Sequence, residues 1–289
     1  MKAIILAAGE GRRLRPLTER VPKPLLPLGG RPLIDRLVAL LARHGVTEIA
    51  VNLHHRPGAI RRHLGDGSKL GVRISYSQEE TLLGSAGAVK KLERFFDETF
   101  FVLYGDVLTD IDLSALAESH RSGGAALTMA LYPTDEPERC GIAEVDGDGI
   151  VRRFREKPAP GETASHWANT GVYAVEPSVL RFIPPDSFFD FGDQLIPLLL
   201  ERSESVLAYL SDSYFLDIGS PERYVQAERD LGSGRVEVAH LSSGSESSRP
   251  PEFDGDNEDA ACTSTRADQP GRWRHRPGGV LRPVWRDGR

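Results

Sequence analysis

The chain has 289 residues, of which 39% are hydrophobic and 27% are charged, a composition typical of a soluble globular protein. Its 36 basic and 42 acidic residues give a net charge of −6, which argues against a general nucleic-acid binder. Two cysteines cannot build a disulfide framework, so the expected location is a reducing cytoplasm, and the sequence contains no run of the roughly 20 apolar residues that a membrane span needs.

The composition divides the chain into two parts. Up to residue 232, apolar runs alternate with helical patterns. After about Ser242, Ser, Gly, Pro, Asp and Arg dominate without an apolar period, and such a segment buries too little apolar surface to offset the entropy cost of ordering it. We therefore predict a folded catalytic domain over residues 1–232 and a low-complexity, disordered tail over residues 233–289.

The first half alternates strands with helices. The apolar run 2–7 predicts a strand buried on both faces, and Pro32 begins a helical stripe that ends at Gly45. Further strands are predicted at 47–53, 72–77, 100–104 and 125–132, and further helices at 57–64, 85–95 and 113–122. This alternation indicates a Rossmann-like three-layer α/β/α fold with a mixed, mostly parallel central sheet, which binds its ligand at the carboxyl ends of the strands.

The second half is richer in strands. A hairpin is predicted from residues 141–145 and 150–154 around a turn at 146–149, followed by a strand at 167–175. A helix over 191–201 contains Pro197, which kinks the helix or marks its start. Strands at 206–210 and 214–218 precede a closing helix at 221–231 with proline at its first position.

The loop after the first strand is the first candidate site. Gly9 and Gly11 would let backbone N–H groups approach an anion closely, and several arginines follow at once, among them Arg13. A dinucleotide-binding fingerprint would need a third glycine where Leu14 stands, and a P-loop would need Gly-Lys-Ser/Thr. On its own, the loop is either an anion site or a tight turn with solvated arginines.

The next segment, VPKPLLP over residues 21–27, holds Lys23 between two prolines. The prolines fix their own backbone torsions and restrict the residues before them, so a stiff segment presents one cation. The whole run from Leu6 to Pro32 resembles the signature of the sugar-1-phosphate nucleotidyltransferases, in which a GxGxRL loop is followed by PKPLLP and a helix.

Further segments carry the same resemblance, in the family's order and over residues 1–231. They are LGSAGA at 83–88, YGD at 104–106, EKP at 156–158, ANTGVY at 168–173 and FLDIG at 215–219. The stretches GSAGAV, EKPAPGE and FDFGDQLIPLLL are most similar to the mannose-1-phosphate guanylyltransferases. The resemblance implies the nucleotide-diphospho-sugar transferase fold.

The resemblance also implies an enzyme of the EC 2.7.7 type, which converts NTP and sugar 1-phosphate to NDP-sugar and pyrophosphate with Mg²⁺ as cofactor. GTP and mannose 1-phosphate are the favoured pair. Thymidylyl or uridylyl transfer to glucose 1-phosphate, guanylyl transfer to heptose 1-phosphate and uridylyl transfer to N-acetylmuramate 1-phosphate stay open, as does a non-catalytic module that senses an NDP-sugar. No nucleic-acid or membrane partner is expected, and a homo-oligomer stays open.

The same match assigns residues to roles. The implied catalytic residues are Arg13, Lys23 and Asp106. The implied nucleotide-binding residues are Leu6, Ala8, Gly9, Gly11, Arg13, Lys23, Gly84 and Gly87. The implied sugar-phosphate-binding residues are Gly141, Glu156, Lys157 and Asn169, and the implied metal ligands are Asp106 and Asp217.

The two aspartates also stand out on physical grounds. Asp106 and Asp217 each follow an apolar strand, where a carboxylate would be costly to bury without a cation, and Mg²⁺ takes few protein ligands. The run Asp110-Ile111-Asp112 could be mistaken for the DxD metal motif of nucleotide-sugar glycosyltransferases, which remain an alternative with the same broad architecture. Asp112 directly precedes a helical pattern, however, and is predicted to be its N-cap.

Overall fold

A nine-stranded sheet organises residues 1–237, which are the part of the chain that this computed structural model describes. The helices are α1 (Leu33–Arg43), α2 (Pro57–Leu64), α3 (Gly84–Lys91), α4 (Leu113–Gly123), α5 (Ile196–Glu201) and α6 (Pro221–Gly232). The strands are β1 (Lys2–Leu6), β2 (Pro27–Leu28), β3 (Arg31–Pro32), β4 (Glu48–Leu53), β5 (Arg73–Gln78), β6 (Phe100–Tyr104), β7 (Val107–Thr109), β8 (Leu127–Pro133), β9 (Gly141–Val145), β10 (Val151–Glu156), β11 (Trp167–Val175), β12 (Val206–Leu210) and β13 (Phe215–Asp217).

The large sheet has the neighbour order β5-β4-β1-β6-β11-β8-β12, and the hairpin β9-β10 joins it at the beginning of β11. Its strands run in one direction except for β10 and β11, which are antiparallel to their neighbours. The predicted mixed, mostly parallel sheet is therefore confirmed. Two small antiparallel pairs, β2-β3 and β7-β13, lie outside it.

Alternating side chains of β1 build the three layers. Ala3 and Ile5 lie in one buried cluster with residues of α1, α2 and α4, whereas Ile4 lies in a second cluster with residues of α3 and α5. Side chains alternate across a strand, so a continuous apolar run such as β1 is what a sheet covered on both faces requires. Each buried Leu, Ile or Val contributes roughly 1.5–3 kcal/mol relative to exposure.

A third cluster holds the segments around the site together. Leu14, Leu26, Leu216, Ile218 and Ala227 are all buried in it. These residues come from the loop after β1, the segment before β2, the end of β13 and helix α6. Packing them together fixes where the loop arginines and the end of β13 lie relative to each other.

Most predicted elements lie where the sequence pattern put them, with ends displaced by a residue or two. Two helices differ in detail. The helix predicted at 85–95 ends as an α-helix at Lys91 and continues as a 3-10 turn over Glu93–Phe95, after which Phe96 stacks on Phe100 of β6 with ring centroids 3.8 Å apart. The helix predicted at 191–201 begins as a π-helical turn (Phe191–Leu195), and Pro197, which lacks an N–H, is the second residue of α5.

The predicted N-cap of α4 is confirmed, since Asp112 Oδ1 accepts hydrogen bonds from the backbone N–H groups of Ser114 and Ala115, both at 2.9 Å. None of the helices in residues 1–237 combines the length and apolar character that crossing a membrane would take.

The packed region extends past the predicted boundary at residue 232. Val236 is only 4% exposed in the third cluster, and the backbone N–H of Glu237 donates to Asp110 Oδ2 over 3.1 Å. The predicted disordered tail lies outside the described residues from position 238 onward.

Candidate functional site

A cavity of about 250 Å³ opens at the carboxyl ends of β1, β4, β5 and β6. This is the edge at which open α/β sheets bind ligands. Six of the residues assigned from the family match line the cavity: Leu6, Ala8, Gly9, Lys23, Gly84 and Asp106. Lining residues that sequence reasoning did not single out include Asn52, Glu79, Leu82, Phe188 and Asp190.

The charged end of the cavity is built from two strand ends. Pairing of β13 with β7 sets Asp217 opposite Val107, next to Asp106, and the backbone N–H of Ile218 donates to Asp106 O over 2.8 Å. Lys23 Nζ lies 2.5 Å from Asp106 Oδ2 and 3.7 Å from Asp217 Oδ1. The lysine side chain is only 10% exposed, so its ammonium is held between the two carboxylates.

The Lys23 segment folds into a tight hydrogen-bonded turn. Pro22 to Leu25 form a tight turn in which the backbone N–H of Leu25 donates to Pro22 O over 2.8 Å, and that of Leu26 donates to Lys23 O over 3.0 Å. The turn is buried at both leucines. A short buried turn therefore aims one ammonium at the carboxylate pair.

Asp217 is incompletely satisfied. Its Oδ1 is buried and accepts no hydrogen bond from any described residue. Burial raises the pKa of Asp217, and the nearby charge of Asp106 adds to the rise, while Lys23 and Arg13 oppose it. Gly219 keeps this corner open, because a Cβ there would lie 2.6 Å from Asp217 Oδ2 and 3.1 Å from an Arg13 guanidinium nitrogen.

This donor set fits a hard divalent cation. Two adjacent carboxylates, one with a buried oxygen that accepts no hydrogen bond, are what such an ion would satisfy, and it can take its other ligands from phosphate oxygens and water. Among residues 1–237 there is no cluster of three or more His, Cys, Asp or Glu side chains that would form an all-protein cage. Asp106 and Asp217 are the residues that would hold the cation.

The fold requires glycine at position 11 but not at position 9. Gly11 has φ of 64°, and a Cβ there would come within 2.9 Å of the Thr18 methyl group. Thr18 is buried and its hydroxyl donates to Gly11 O over 2.8 Å, a support that the sequence pattern did not reveal. A Cβ at Gly9 would meet nothing within 4 Å, so the fold itself does not require glycine there. The space at Gly9 is free for a ligand.

A buried polar pair forms the floor of the cavity. Asn52 Oδ1 accepts from the Ala7 backbone N–H over 2.7 Å, and Asn52 Nδ2 donates to Glu79 Oε1 over 2.8 Å. Glu79 Oε2 accepts from the Leu83 backbone N–H over 3.0 Å, and both polar side chains are 3% exposed. The available signal was an asparagine inside the apolar run of β4, which is unusual for a buried strand.

The glycine-rich segment at the start of α3 meets another loop. A Cβ on Gly84 would lie 2.5 Å from Phe189 O, and one on Gly87 would lie 2.6 Å from Ser187 O. Gly84 lines the cavity, whereas Gly87 lies against the 187–189 backbone and not among the lining residues. A direct nucleotide contact of Gly87 stays a prediction.

The residues assigned to the sugar phosphate lie apart from this cavity's lining. Glu156 lines a second cavity of about 290 Å³, and Cβ atoms at Gly141 or Gly192 would come within 2.6 and 2.8 Å of its Oε2. Lys157 has φ of 47°, a left-handed conformation that is uncommon for a lysine, and its backbone N–H donates to Cys140 O over 3.0 Å. Lys157 Nζ lies 3.1 Å from Glu156 Oε1, and its side chain is 65% exposed.

Asn169 is fixed by a bulge in β11. Its Nδ2 donates to the Tyr173 hydroxyl over 2.6 Å, and its Oδ1 accepts from the Gly171 backbone N–H over 3.1 Å. The Tyr173 ring stacks on Phe191 with centroids 4.7 Å apart, and burial raises the pKa of Tyr173, so the hydroxyl stays neutral. Gly171, with φ of 74°, lies directly over the Tyr104 ring.

Known proteins are similar to this chain over nearly all of the described residues. The profile of a family described as nucleotidyl transferase matches residues 2–234. The UTP–glucose-1-phosphate uridylyltransferase of Synechocystis sp. is 38% identical over 255 residues, which cover 83% of this chain and 66% of the relative. The mannose-1-phosphate guanylyltransferase of Mycobacterium tuberculosis is 33% identical over 234 residues, which cover 80% of this chain and 65% of the relative. The chain thus spans about two thirds of the length of these curated relatives.

A solved structure of HddC from Yersinia pseudotuberculosis, complexed with GMP-PN, matches with a TM-score of 0.68 at 26% identity and covers 80% of this chain and 99% of that one. The relatives' names agree on nucleotidyl transfer to a sugar 1-phosphate but differ in both the nucleotide and the sugar. The fold and the family predicted from the motifs are both confirmed. The chain belongs to the nucleotidyl transferase family, within its sugar-1-phosphate nucleotidyltransferases.

Proposed function

We propose that this chain transfers a guanylyl group from GTP to mannose 1-phosphate, giving GDP-mannose and pyrophosphate. The observation that carries the reaction class is the cluster of Asp106, Lys23 and Asp217 at the charged end of the cavity. Two carboxylates for a cation and a buried ammonium, with Arg13 close by, form a site for a triphosphate. Mg²⁺ is the proposed cation, and it would supply charge neutralisation on the triphosphate.

The side chains have separate tasks in this reaction. Lys23 and Arg13 bind the triphosphate and stabilise the charge that grows on pyrophosphate as it leaves. The attacking oxygen of the sugar phosphate is already ionised, so no side chain needs to remove a proton. Lys157 and Glu156 bind the sugar phosphate and its hydroxyl groups, and Asn169 donates its remaining amide hydrogen to the sugar. The rate gain comes from alignment and charge, not from acid–base chemistry.

Glu79 supports guanine as the base. A carboxylate accepts hydrogen bonds only, and each of its oxygens has room for a second donor beyond the ones supplied by Asn52 and Leu83. Guanine offers two adjacent donors, N1–H and the N2 amino group. Uracil and thymine offer one donor between two carbonyl oxygens, and those oxygens would face the carboxylate and repel it.

A second candidate is uridylyl transfer to glucose 1-phosphate, which is favoured by the 38% identity to the Synechocystis protein. The sugar part of the proposal rests on the similarity to mannose-1-phosphate guanylyltransferases. A non-catalytic sensor of an NDP-sugar is the contrasting class, and the joint presence of Arg13, Lys23, Asp106 and Asp217 argues against it.

The test is a matrix of nucleoside triphosphates against sugar 1-phosphates, read as pyrophosphate release by the purified full chain with Mg²⁺. The proposal expects the highest kcat/KM for GTP with mannose 1-phosphate and no release after chelation of the metal. The highest kcat/KM with UTP and glucose 1-phosphate would transfer the assignment to the second candidate. Binding of an NDP-sugar without any pyrophosphate release would overturn the catalytic assignment.

A further inference from the structure

Phe188 is an exposed aromatic side chain that lines the cavity at the carboxyl ends of β1, β4, β5 and β6. It is 61% exposed, and Leu82, which lines the same cavity, is 41% exposed. Most large apolar side chains of residues 1–237 are buried, so an exposed Phe and an exposed Leu that line the same cavity leave apolar surface uncovered there.

The backbone beneath Phe188 is fixed in place. The Phe189 N–H donates to Leu83 O over 2.8 Å, and Phe189 O accepts from the N–H groups of Ala86 and Gly87, both over 2.9 Å. The loop that carries Phe188 is thus tied by hydrogen bonds to the start of α3. Its exposed ring projects from a held backbone rather than from a free loop.

The glycines of the GSAG segment explain why the loop can come so close. Cβ atoms at Gly84 and Gly87 would lie 2.5 Å from Phe189 O and 2.6 Å from Ser187 O, both backbone atoms that cannot easily move aside. At least one purpose of this glycine pair is therefore to seat the 187–189 segment against α3. The consequence of that seating is the position of Phe188.

We propose that the Phe188 ring is the surface on which the nucleobase of the bound NTP stacks, with Leu82 extending the apolar rim. This inference rests on the proposed function, because it takes the cavity to be a nucleotide site. Glu79 contacts the edge of the base from the cavity floor, and Phe188 covers its face. Every base has a π-face, so stacking adds affinity without choosing between bases.

Because Glu79 contacts the edge of the base and Phe188 its face, substitution of Phe188 has a characteristic effect on KM. Phe188→Ala raises KM for GTP and also for UTP and ATP, by about 5- to 150-fold from the usual strength of base–aromatic stacking. KM for the sugar 1-phosphate is unchanged. Phe188→Tyr keeps the ring and restores KM, whereas Phe188→Leu, which is apolar but not aromatic, does not.

A matched control is Leu210→Ala, which removes another exposed large apolar side chain that does not line the cavity. It leaves both KM values unchanged. If Phe188→Ala alters oligomeric state and leaves nucleotide KM as it was, the ring is a contact between copies of the chain and the stacking proposal is overturned. An increase in KM for GTP alone, with UTP and ATP unaffected, also overturns it.

A binding measurement decides the point without turnover. The chain has three tryptophans of its own, so the wild type is the background. In Phe188→Trp, GTP quenches tryptophan fluorescence in a saturable way beyond any change in the wild type, while inorganic tripolyphosphate, which has no base, does not. Equal quenching by both probes, or no quenching by GTP at concentrations that saturate it by calorimetry, overturns the proposal. A wild-type chain that releases no pyrophosphate with any nucleotide overturns the proposed function instead, and the fluorescence titration still reports on Phe188.

Discussion

The charged cluster at the end of β6 and the hairpin that carries Glu156 are both candidate phosphate-handling regions, but they are built in different ways. In the cluster, Lys23 is 10% exposed and lies within ion-pair distance of two carboxylates. In the hairpin, Lys157 is 65% exposed and, within residues 1–237, forms an ion pair only with its neighbour Glu156. In one region the cation is buried against two partly exposed carboxylates, and in the other the cation lies in solvent.

This difference has an energetic consequence. A buried ammonium such as that of Lys23 interacts more strongly with the carboxylates beside it than an exposed one does, whereas an exposed ion pair contributes only about 0–1 kcal/mol. We therefore expect substitutions in the cluster to act mainly on the transition state, and substitutions in the hairpin to act on the binding of one substrate. The predictions below test this contrast, beginning with the largest expected effect.

Asp106→Asn keeps the size of the side chain and removes the negative charge that would bind the cation. Turnover should fall by about 100- to 1000-fold or more, because several kcal/mol of charge stabilisation are lost. Pyrophosphate release measures it. Asp112→Asn is the matched control, since it removes the same charge from an N-cap that asparagine also serves. Near-normal turnover of Asp106→Asn would remove the metal role.

Arg13→Ala and Lys157→Ala compare the two regions directly. Arg13→Ala should lower kcat, and kcat/KM with it, by about 30- to 1000-fold, because charge on the leaving pyrophosphate grows in the transition state. Lys157→Ala should chiefly raise KM for the sugar 1-phosphate, by about 10-fold or less given its exposure, and leave KM for NTP unchanged. If Lys157→Ala raises KM for NTP alone, the hairpin does not bind the sugar phosphate and has only a structural role.

Glu79→Gln tests the floor of the cavity. The amide replaces one acceptor with a donor, so GTP should lose about 10- to 100-fold in kcat/KM relative to UTP, a discrimination of about 1.5–3 kcal/mol. The GTP-to-UTP ratio of kcat/KM is the readout, with Glu80→Gln next to it as the control. An unchanged ratio would mean that Glu79 does not contact the base.

Asp217→Asn should lower turnover and raise the thermal stability of the metal-free protein. Because its pKa is raised, the folded chain holds this proton more tightly than the unfolded chain does, so the metal-free protein loses stability as pH rises from the ordinary value of 3.8 through the raised one. At neutral pH and with chelator, the variant should melt at a higher temperature than the wild type, and the gap should close at pH below 3.8. A lower Tm for the variant at neutral pH would contradict the cause given for the shift.

The sequence predicted the cluster better than its surroundings, for a physical reason. Asp106 directly follows a strongly apolar strand, and the carboxyl ends of parallel strands meet at one edge, so its location followed from local pattern. The assignment of Lys23 to the same site as the aspartates came from the family match, because no spacing rule joins residue 23 to residues 106 and 217. The short strands β7 and β13, which bring the two aspartates together, are too brief to leave a periodic signal.

Residues whose role depends on long-range packing were missed. Thr18 supports Gly11 through one hydroxyl, and Phe188 reaches the cavity only because its loop is seated on α3. In sequence, these residues look like an ordinary threonine and a loop phenylalanine. Their neighbours in space are set by tertiary contacts, which a single sequence does not encode in a local pattern.

Two truncated chains test where the folded domain ends and the predicted tail begins. Removal of residues after Ser242 should leave turnover and Tm nearly unchanged, because the lost segment is polar and unpatterned.

Removal of residues after Gly232 also takes away Val236, which is 4% exposed, and the hydrogen bond from Glu237 N–H to Asp110. Loss of one buried valine is worth roughly 1.5–3 kcal/mol, so Tm should fall by about 3–12 °C in a domain of this size. Thermal melts of the two truncated chains against the full chain measure both effects. If both melt like the full chain, residues 233–237 contribute nothing to stability and the boundary belongs at residue 232; if truncation after Ser242 alone lowers Tm by several degrees, the tail docks on the domain.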